Sequence, residues 1–235
     1  LVDKEGETVA RIAVEDLGIL ILQSPEITIS QAVIAQCQLH NVAMVFCNDR
    51  HLPVSIALPL WDGSSTHTKV LREQIAVTEP TRKRLWKQIV KCKISEQAKT
   101  LEAFGRTAEG LLRLRDKVRS GDPDNCEAQA ARQYWSALIG NGFHRDPDGD
   151  GINHLLNYGY AVIRAMVARG LVGTGLHPAL GLHHRNQYNG LCLADDIMEP
   201  FRPWVDYEVR QLVETEANPE INRQSKQRLL GILAN

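Results

Sequence analysis

The chain has no paired cysteine motif. Its five cysteines, Cys37, Cys47, Cys92, Cys126 and Cys192, are odd in number and include no C-x-x-C. That argues against a disulfide framework or a zinc site and for reduced thiols in a cytoplasmic setting. No apolar run approaches the ~20 residues of a membrane span, and no signal peptide is visible, so no membrane partner is expected. Charge of one sign is also lacking. The 27 Lys and Arg against 28 Asp and Glu leave a net charge of -1, which argues neither for nor against nucleic acid. No methionine precedes Leu1, so an N-terminal segment carrying the first strands is expected upstream. What is present is ordinary for a globular protein: 43% hydrophobic, 23% charged, 235 residues, enough for one large or two modest domains.

Residues 1–62 read as β-rich. Val9–Val14 alternates, Leu17–Leu22 and Val42–Cys47 are short apolar runs, and Pro53 and Pro59 bracket another extended piece. Ser30 is placed to cap a short helix from Gln31 to Leu39. His40, His51 and His67 lack metal spacing and read as structural or surface residues. The polar segment 61–67, WDGSSTH, marks the boundary. Residues 63–235 then read as an all-helical domain. Leu85, Trp86, Ile89, Val90, Ile94, Ala98 and Leu101 follow three- and four-residue steps from a start at Pro80. The fold class expected is α+β, a small β-rich domain before a larger helical one.

Charge is uneven inside that helical part. Twelve Lys or Arg face four acids between Arg82 and Arg119, and Lys83, Lys87 and Lys91 repeat at i, i+4. Crowding like charges on one face costs stability in isolation and suits a polyphosphate; a solvated basic face balanced by acids elsewhere is the alternative. In DPDNCEAQAARQYW (122–135), Glu127 lies three residues after Asp124, the spacing of a capping box. Residues 143–160 contain Asp146-x-Asp148-x-Asp150-Gly151, the start of a calcium loop, but Asn157 stands where a bidentate Glu belongs. The GLVGTG run after Gly170 follows no strand and is not a dinucleotide loop.

The chemistry concentrates in residues 175–206, GLHPALGLHHRNQYNGLCLADDIMEPFRPWVD. A broken Gly/His/Pro segment gives way to an apolar helical stripe of Ala194, Ile197, Met198, Phe201 and Val205. Asp195, Asp196, Glu199 and Asp206 cluster in an arc beside it. Like charges so spaced cost about 0.2–0.5 kcal/mol per pair, a cost that a cation or a positive side chain from elsewhere would remove. His183 and His184 sit just upstream.

This stretch resembles the active-site region of the CRISPR-associated spacer-acquisition integrases, in the form found beside type II effector nucleases. RLWKQIVKCKI, E-x-x-A-A-R-x-Y-W from Glu127, FxR…D-x-I-N…LNYGY and ITIS…NVAMVFCNDRHLP extend the likeness over nearly the whole chain. The resemblance implies that Glu127, His184 and Glu199 are catalytic and bind Mg²⁺ or Mn²⁺, a cation class that suits two carboxylates and an imidazole. Asp195 and Asp196 would support them or add a ligand. The family pattern Gly, large apolar, variable, ligand His puts the ligand at His184 and leaves His183 to packing or DNA. Lys83, Lys87, Lys91 and Arg145 would contact DNA, and Tyr158 or Tyr160 would lie near substrate or in the core. The implied reaction is attack by the 3′-hydroxyl of a foreign DNA fragment on a phosphodiester at the edge of CRISPR repeat DNA. Implied partners are double-stranded DNA fragments, the repeat, a second copy in a homodimer, a small dimeric adaptation protein, and the RNA-guided effector nuclease. Two readings stay open beside it: a stand-alone metal-dependent nuclease on branched DNA, and a non-catalytic DNA-binding scaffold.

Overall fold

The computed structural model describes residues 8–49, 52–59, 66–147, 149–215 and 219–232. Three strands form one sheet: β1 (Ile19–Leu22), β2 (Ala43–Cys47) and β3 (Pro53–Ala57), in the order β1-β2-β3. β1 and β2 run parallel, with Ile19 opposite Ala43 and Leu22 opposite Phe46, and β3 pairs antiparallel to β2. Parallel neighbours need a crossover, and α1 (Gln31–Leu39) supplies it, capped by Ser30, whose hydroxyl accepts from Val33 N. Cys37, Val42 and Met44 form a small core with Leu20, Leu22 and Ile34. The alternation at Val9–Val14 does not make a strand. Residues 9–13 have no regular structure, Val14–Asp16 is a 3₁₀ turn, and Val9 and Ile12 are exposed. Alternation supplies a two-faced strip, but a strand also needs a neighbour to complete its ladder.

The helical part holds α2 (His67–Ala76), α3 (Glu79–Ala103), α4 (Glu109–Lys117), α5 (Cys126–Leu138), α6 (Ile152–Gly173), α7 (Cys192–Met198), α8 (Arg202–Thr215) and α9 (Arg223–Gly231). The α+β class expected from the sequence holds. The boundary placed between residues 62 and 63 lies outside the described residues, as does His51. α3 packs with α4 and α5 around Trp86, Val90, Ile94, Leu101, Ala130 and Tyr134. α6 packs with α8 and α9 around Leu155, Leu156, Tyr158, Val205 and Leu229. The sheet rests on α6: Gln23 Nε2 donates to Tyr158 Oη at 2.7 Å, and the Arg169 guanidinium donates to Asn41 O. Tyr158 and Tyr160 are both buried. The 143–150 loop is tied by protein groups: the Asn153 carboxamide accepts from Asp146 N, and Asn157 Nδ2 donates to Pro147 O at 2.7 Å. The described partners of Asn157, where a calcium loop would need its bidentate Glu, are thus protein atoms.

α6 and α8 cross so closely at Gly159 that a Cβ there would collide with Val205 Cγ1. Alanine is the better helix former by about 1 kcal/mol, but overpacking at a rigid crossing costs about 1–3 kcal/mol. Gly159→Ala is therefore expected to lower the thermal midpoint despite its propensity gain. A midpoint at or above wild type in a thermal melt would show that the crossing yields.

Candidate active site

Three segments of the helical part meet at one buried positive charge. Lys93 lies on α3 in register with Trp86, Ile89, Val90 and Gln97, so its aliphatic stem runs along the packed face. Its ammonium reaches Glu127 Oε1 at 2.6 Å and Glu199 Oε2 at 2.5 Å. Glu127 sits in the first turn of α5. Glu199 opens the 3₁₀ turn Glu199–Phe201 between α7 and α8. The other Glu199 oxygen accepts from Arg202 Nε at 2.9 Å. Glu199 is only 5% exposed. Burial pushes its carboxyl up, but Lys93 and Arg202 outweigh burial and hold it below the usual carboxylate range. Burial likewise pulls the Lys93 ammonium down, and the two glutamates more than restore it, above the ordinary lysine value.

Glu127 does not act as a capping-box acid. Asn125 precedes α5 in a left-handed conformation and makes no side-chain cap. Asp122 does that work, accepting from Cys126 N and Glu127 N at 2.9 Å each. The Glu127 carboxylate is thereby free to face α3.

His184 is placed from the other side. Asp196, fully buried, accepts from the backbone N–H groups of Leu182, His183 and His184 at 2.6, 2.9 and 3.2 Å. Its Oδ1 also bonds His184 Nδ1 at 2.6 Å. A carboxylate on Nδ1 leaves Nε2 as the outward nitrogen, the arrangement seen behind metal-ligating histidines. The Asp196 bond raises the His184 pKa above its ordinary value, more than burial lowers it, and Glu199 adds to the rise. Only glycine fits at 181: a Cβ would strike His184 O and come 2.9 Å from Cys192 Cβ. His183 stacks on Trp86, ring centroids 4.2 Å apart and planes nearly parallel, while the His184 ring stands edge-on to both.

The acidic arc is resolved acid by acid. Asp195 takes the Arg164 guanidinium at 2.6 and 2.9 Å together with Asn189 Nδ2. Asp196 takes the backbone nest, and Glu199 takes Lys93 and Arg202. Asp206, buried, accepts from Tyr134 Oη at 3.0 Å and from Tyr160 Oη. The structure therefore brings Glu127 and Glu199 together on Lys93 and leaves His184 within electrostatic reach of Glu199, whereas the Asp195 carboxylate is bonded to Arg164 and Asn189. Among the described residues no three His, Cys, Asp or Glu side chains are arranged to hold a metal; the cation between the glutamates is Lys93. No other donor among the described residues reaches Glu199 Oε2.

Of the expected DNA contacts, Lys83 is exposed and Lys87 and Lys91 are half-buried on α3. Arg145 is turned inward. Its guanidinium donates to Asp146 O, Asn153 and Asn157 and lies over the Tyr160 ring, so it braces the loop before α6. Sequence reasoning counted Lys93 with the basic stretch and missed its role, although a lysine in register with Val90 and Gln97 signals a buried pair. It also missed Asp122, Arg202 and the Tyr134–Tyr160–Asp206 cluster.

A small sheet lobe resting on a helical body, with a carboxylate pair held on one lysine between α3, α5 and the α7–α8 turn, defines an α+β protein whose candidate site lies in its helical part. Residues 1–228 match the family model of the CRISPR associated protein Cas1, and the chain belongs to that family. It is 38% identical over 236 residues to the CRISPR-associated endonuclease Cas1 of Neisseria meningitidis serogroup C, covering 99% of this chain and 77% of that one. Its fold is similar to a Cas1 protein from Thermotoga maritima, with a TM-score of 0.80 at 19% identity over 99% of this chain and 82% of that one. It is also similar in fold to a casposase bound to an integration product, with a TM-score of 0.75 at 20% identity over 94% and 70% of the two chains.

Asp206 gives this region a pH signature. Burial lifts its carboxyl to about 7, against the pull of both tyrosine hydroxyls and Arg202. A folded-state pKa above the unfolded value of about 3.9 means stability present in acid and lost as pH rises through about 7, at most about 4 kcal/mol. Asp206→Asn is expected to flatten the urea-midpoint profile between about pH 4 and 7. An unchanged difference between wild type and variant across that range would refute the shift.

Proposed function

We propose that this chain is a metal-dependent DNA integrase and endonuclease that inserts foreign DNA fragments as new spacers into a CRISPR array. The carrying observation is that Glu127 and Glu199, from different helices, share one positive charge beside His184, in a member of the Cas1 family. The donors fit a hard divalent ion: two carboxylates, one of them with a buried oxygen partnered only by an ammonium, and an imidazole whose Nδ1 is already engaged. Glu127, Glu199 and His184 Nε2 would hold Mg²⁺ or Mn²⁺. The bound ion would activate the attacking 3′-hydroxyl and offset charge on the phosphate and leaving oxygen.

The chain's own groups do the rest. Asp196 orients the His184 ring, and Arg202 holds the far oxygen of Glu199, so each of these two ligands has a neighbour that fixes its direction. No protein nucleophile is needed, because the fragment supplies its own hydroxyl. With water in its place, the same site cuts branched DNA. Lys87 and Lys91, among whose described contacts there is no ion pair, offer positive charge to the backbone of fragment and repeat. Exposed Val33, Leu39 and Val54 on the sheet lobe support pairing with a second copy. The small dimeric adaptation protein and the effector nuclease complete the proposed assembly, in the cytoplasm. Among the described residues no helix is long and apolar enough to cross a membrane.

The test is joining of a labelled 3′-hydroxyl oligonucleotide to a repeat-bearing plasmid. Glu199→Gln, chosen over alanine so that Lys93 and Arg202 keep a polar partner, should abolish joining and leave DNA affinity nearly intact. His184→Ala should lose both Mn²⁺ binding and joining, whereas His183→Ala, which gives up the Trp86 stack and an edge contact with the His184 ring, should keep measurable Mn²⁺ binding. Near-wild-type joining by Glu199→Gln, or the reverse order of the two histidine defects, would overturn the ligand set. A scaffold would take up no ion at all in the same titration, and a stand-alone nuclease would cut without joining.

Charge reversal at Lys87 and Lys91 together should weaken DNA binding at every sequence. It should also flatten the salt dependence by about one unit per lost contact. An unchanged slope in salt-titrated binding would remove both lysines from the interface.

A further inference from the structure

The ammonium between Glu127 and Glu199 stands where the proposed ion would have to stand. Two positive groups, Lys93 and Arg202, face two carboxylates, and the charges balance. Lys93 belongs to α3, the longest helix described, on the face that carries the buried Trp86, Val90 and Gln97, so the charge has been delivered there by the fold. Without it, two carboxylates from different helices would face each other across a low-dielectric gap and repel. With a divalent ion added, the same ammonium would lie in ion-pair range of a doubly charged cation, and the site would carry two surplus positive charges. That surplus can be lost in two ways: the ammonium withdraws, or a polyanion arrives to share it. A phosphodiester backbone is such a polyanion.

We propose that Lys93 is a positioning residue: it holds the two glutamates together while no ion is bound, and it yields that place to a divalent cation when a DNA phosphate takes up its ammonium. The inference rests on the metal-dependent reading of this site. Ion and DNA then bind cooperatively, because each relieves the excess charge the other leaves. A resting chain carries a weak metal site, and the complete site assembles on substrate.

The experiment is Mn²⁺ calorimetry on the full chain with and without a DNA duplex, together with ion-free thermal melts, for wild type, Lys93→Met and Lys93→Gln. Wild type should bind Mn²⁺ weakly alone and more tightly with duplex. Lys93→Met should bind Mn²⁺ roughly tenfold more tightly without DNA, the low end of what outer groups are worth to a metal site. It should also gain little from duplex. Its ion-free midpoint should fall and be restored by Mn²⁺, which a merely structural lysine would not produce. If Lys93→Met does not fold, Lys93→Gln, which keeps a donor without the charge, carries the same expectation. Equal or weaker Mn²⁺ binding by the neutral variant overturns the proposal. If wild type binds Mn²⁺ and loses it in Glu199→Gln, that failure belongs to Lys93 alone. If neither wild type nor the variants bind Mn²⁺, the metal reading falls and this inference falls with it.

Discussion

One buried ammonium organises the helical part of this protein. Lys93 reaches Glu127 and Glu199 from the middle of α3, so three elements cannot drift apart without exposing a charge or leaving one unpaired. Breaking such a pair by removing one partner typically costs about 3–5 kcal/mol, far more than the intact pair contributes. The arrangement specifies geometry more than it adds stability. Around it the other polar groups form a supporting layer: Arg202 on the far side of Glu199, Asp122 orienting the first turn of α5, and Asp196 gripping the loop that carries the histidines.

The same economy explains how four acids fit within residues 195–206. On an isolated helix they would repel. Here each has a separate partner of a different kind: a guanidinium for Asp195, backbone N–H groups for Asp196, an ammonium and a guanidinium for Glu199, and two phenols for Asp206. Asp206 has no formal charge bonded to it, and it is the one whose carboxyl is lifted to about 7. Hydroxyls alone do not repay the burial of a full charge.

Much of the fold was legible because it is written in local rules. Ser30 caps the helix it was expected to cap, and α3 begins beside Pro80, a residue suited to a first turn. The alternation at Val9–Val14 misled because strands are decided by neighbours. In the candidate site, a likeness of motifs singled out Glu127, His184 and Glu199 as expected ligands and the family pattern at residues 181–184 chose His184 over His183; the structure pairs the two glutamates on Lys93. Lys93 was not singled out: Val90 and Gln97, three and four residues away, mark a buried face, but only the packing of α3 against α5 and the α7–α8 turn shows what the charge meets. Asp122 was hidden by Asp124, which has the spacing of a capping box but bonds Arg119 instead.

The grip of Asp196 on three successive backbone N–H groups has a kinetic side. The loop of residues 175–191 has no helix or strand to set its path, and it is held to α7 by the Asp196 carboxylate, by Asn189 on Asp195, by Leu193 N on Pro178 O and by the Cys192 thiol on Asn186 O and Asn189 O. Loops anchored this way open and close as units. Asp196 and the Trp86 stack hold the two histidines of this loop, whereas the two glutamates are held by Lys93. The candidate site thus has a loop-borne half and a half tied to one ammonium. Hydrogen exchange at the amides of Leu182, His183 and His184 would report the opening rate of the first without disturbing the second.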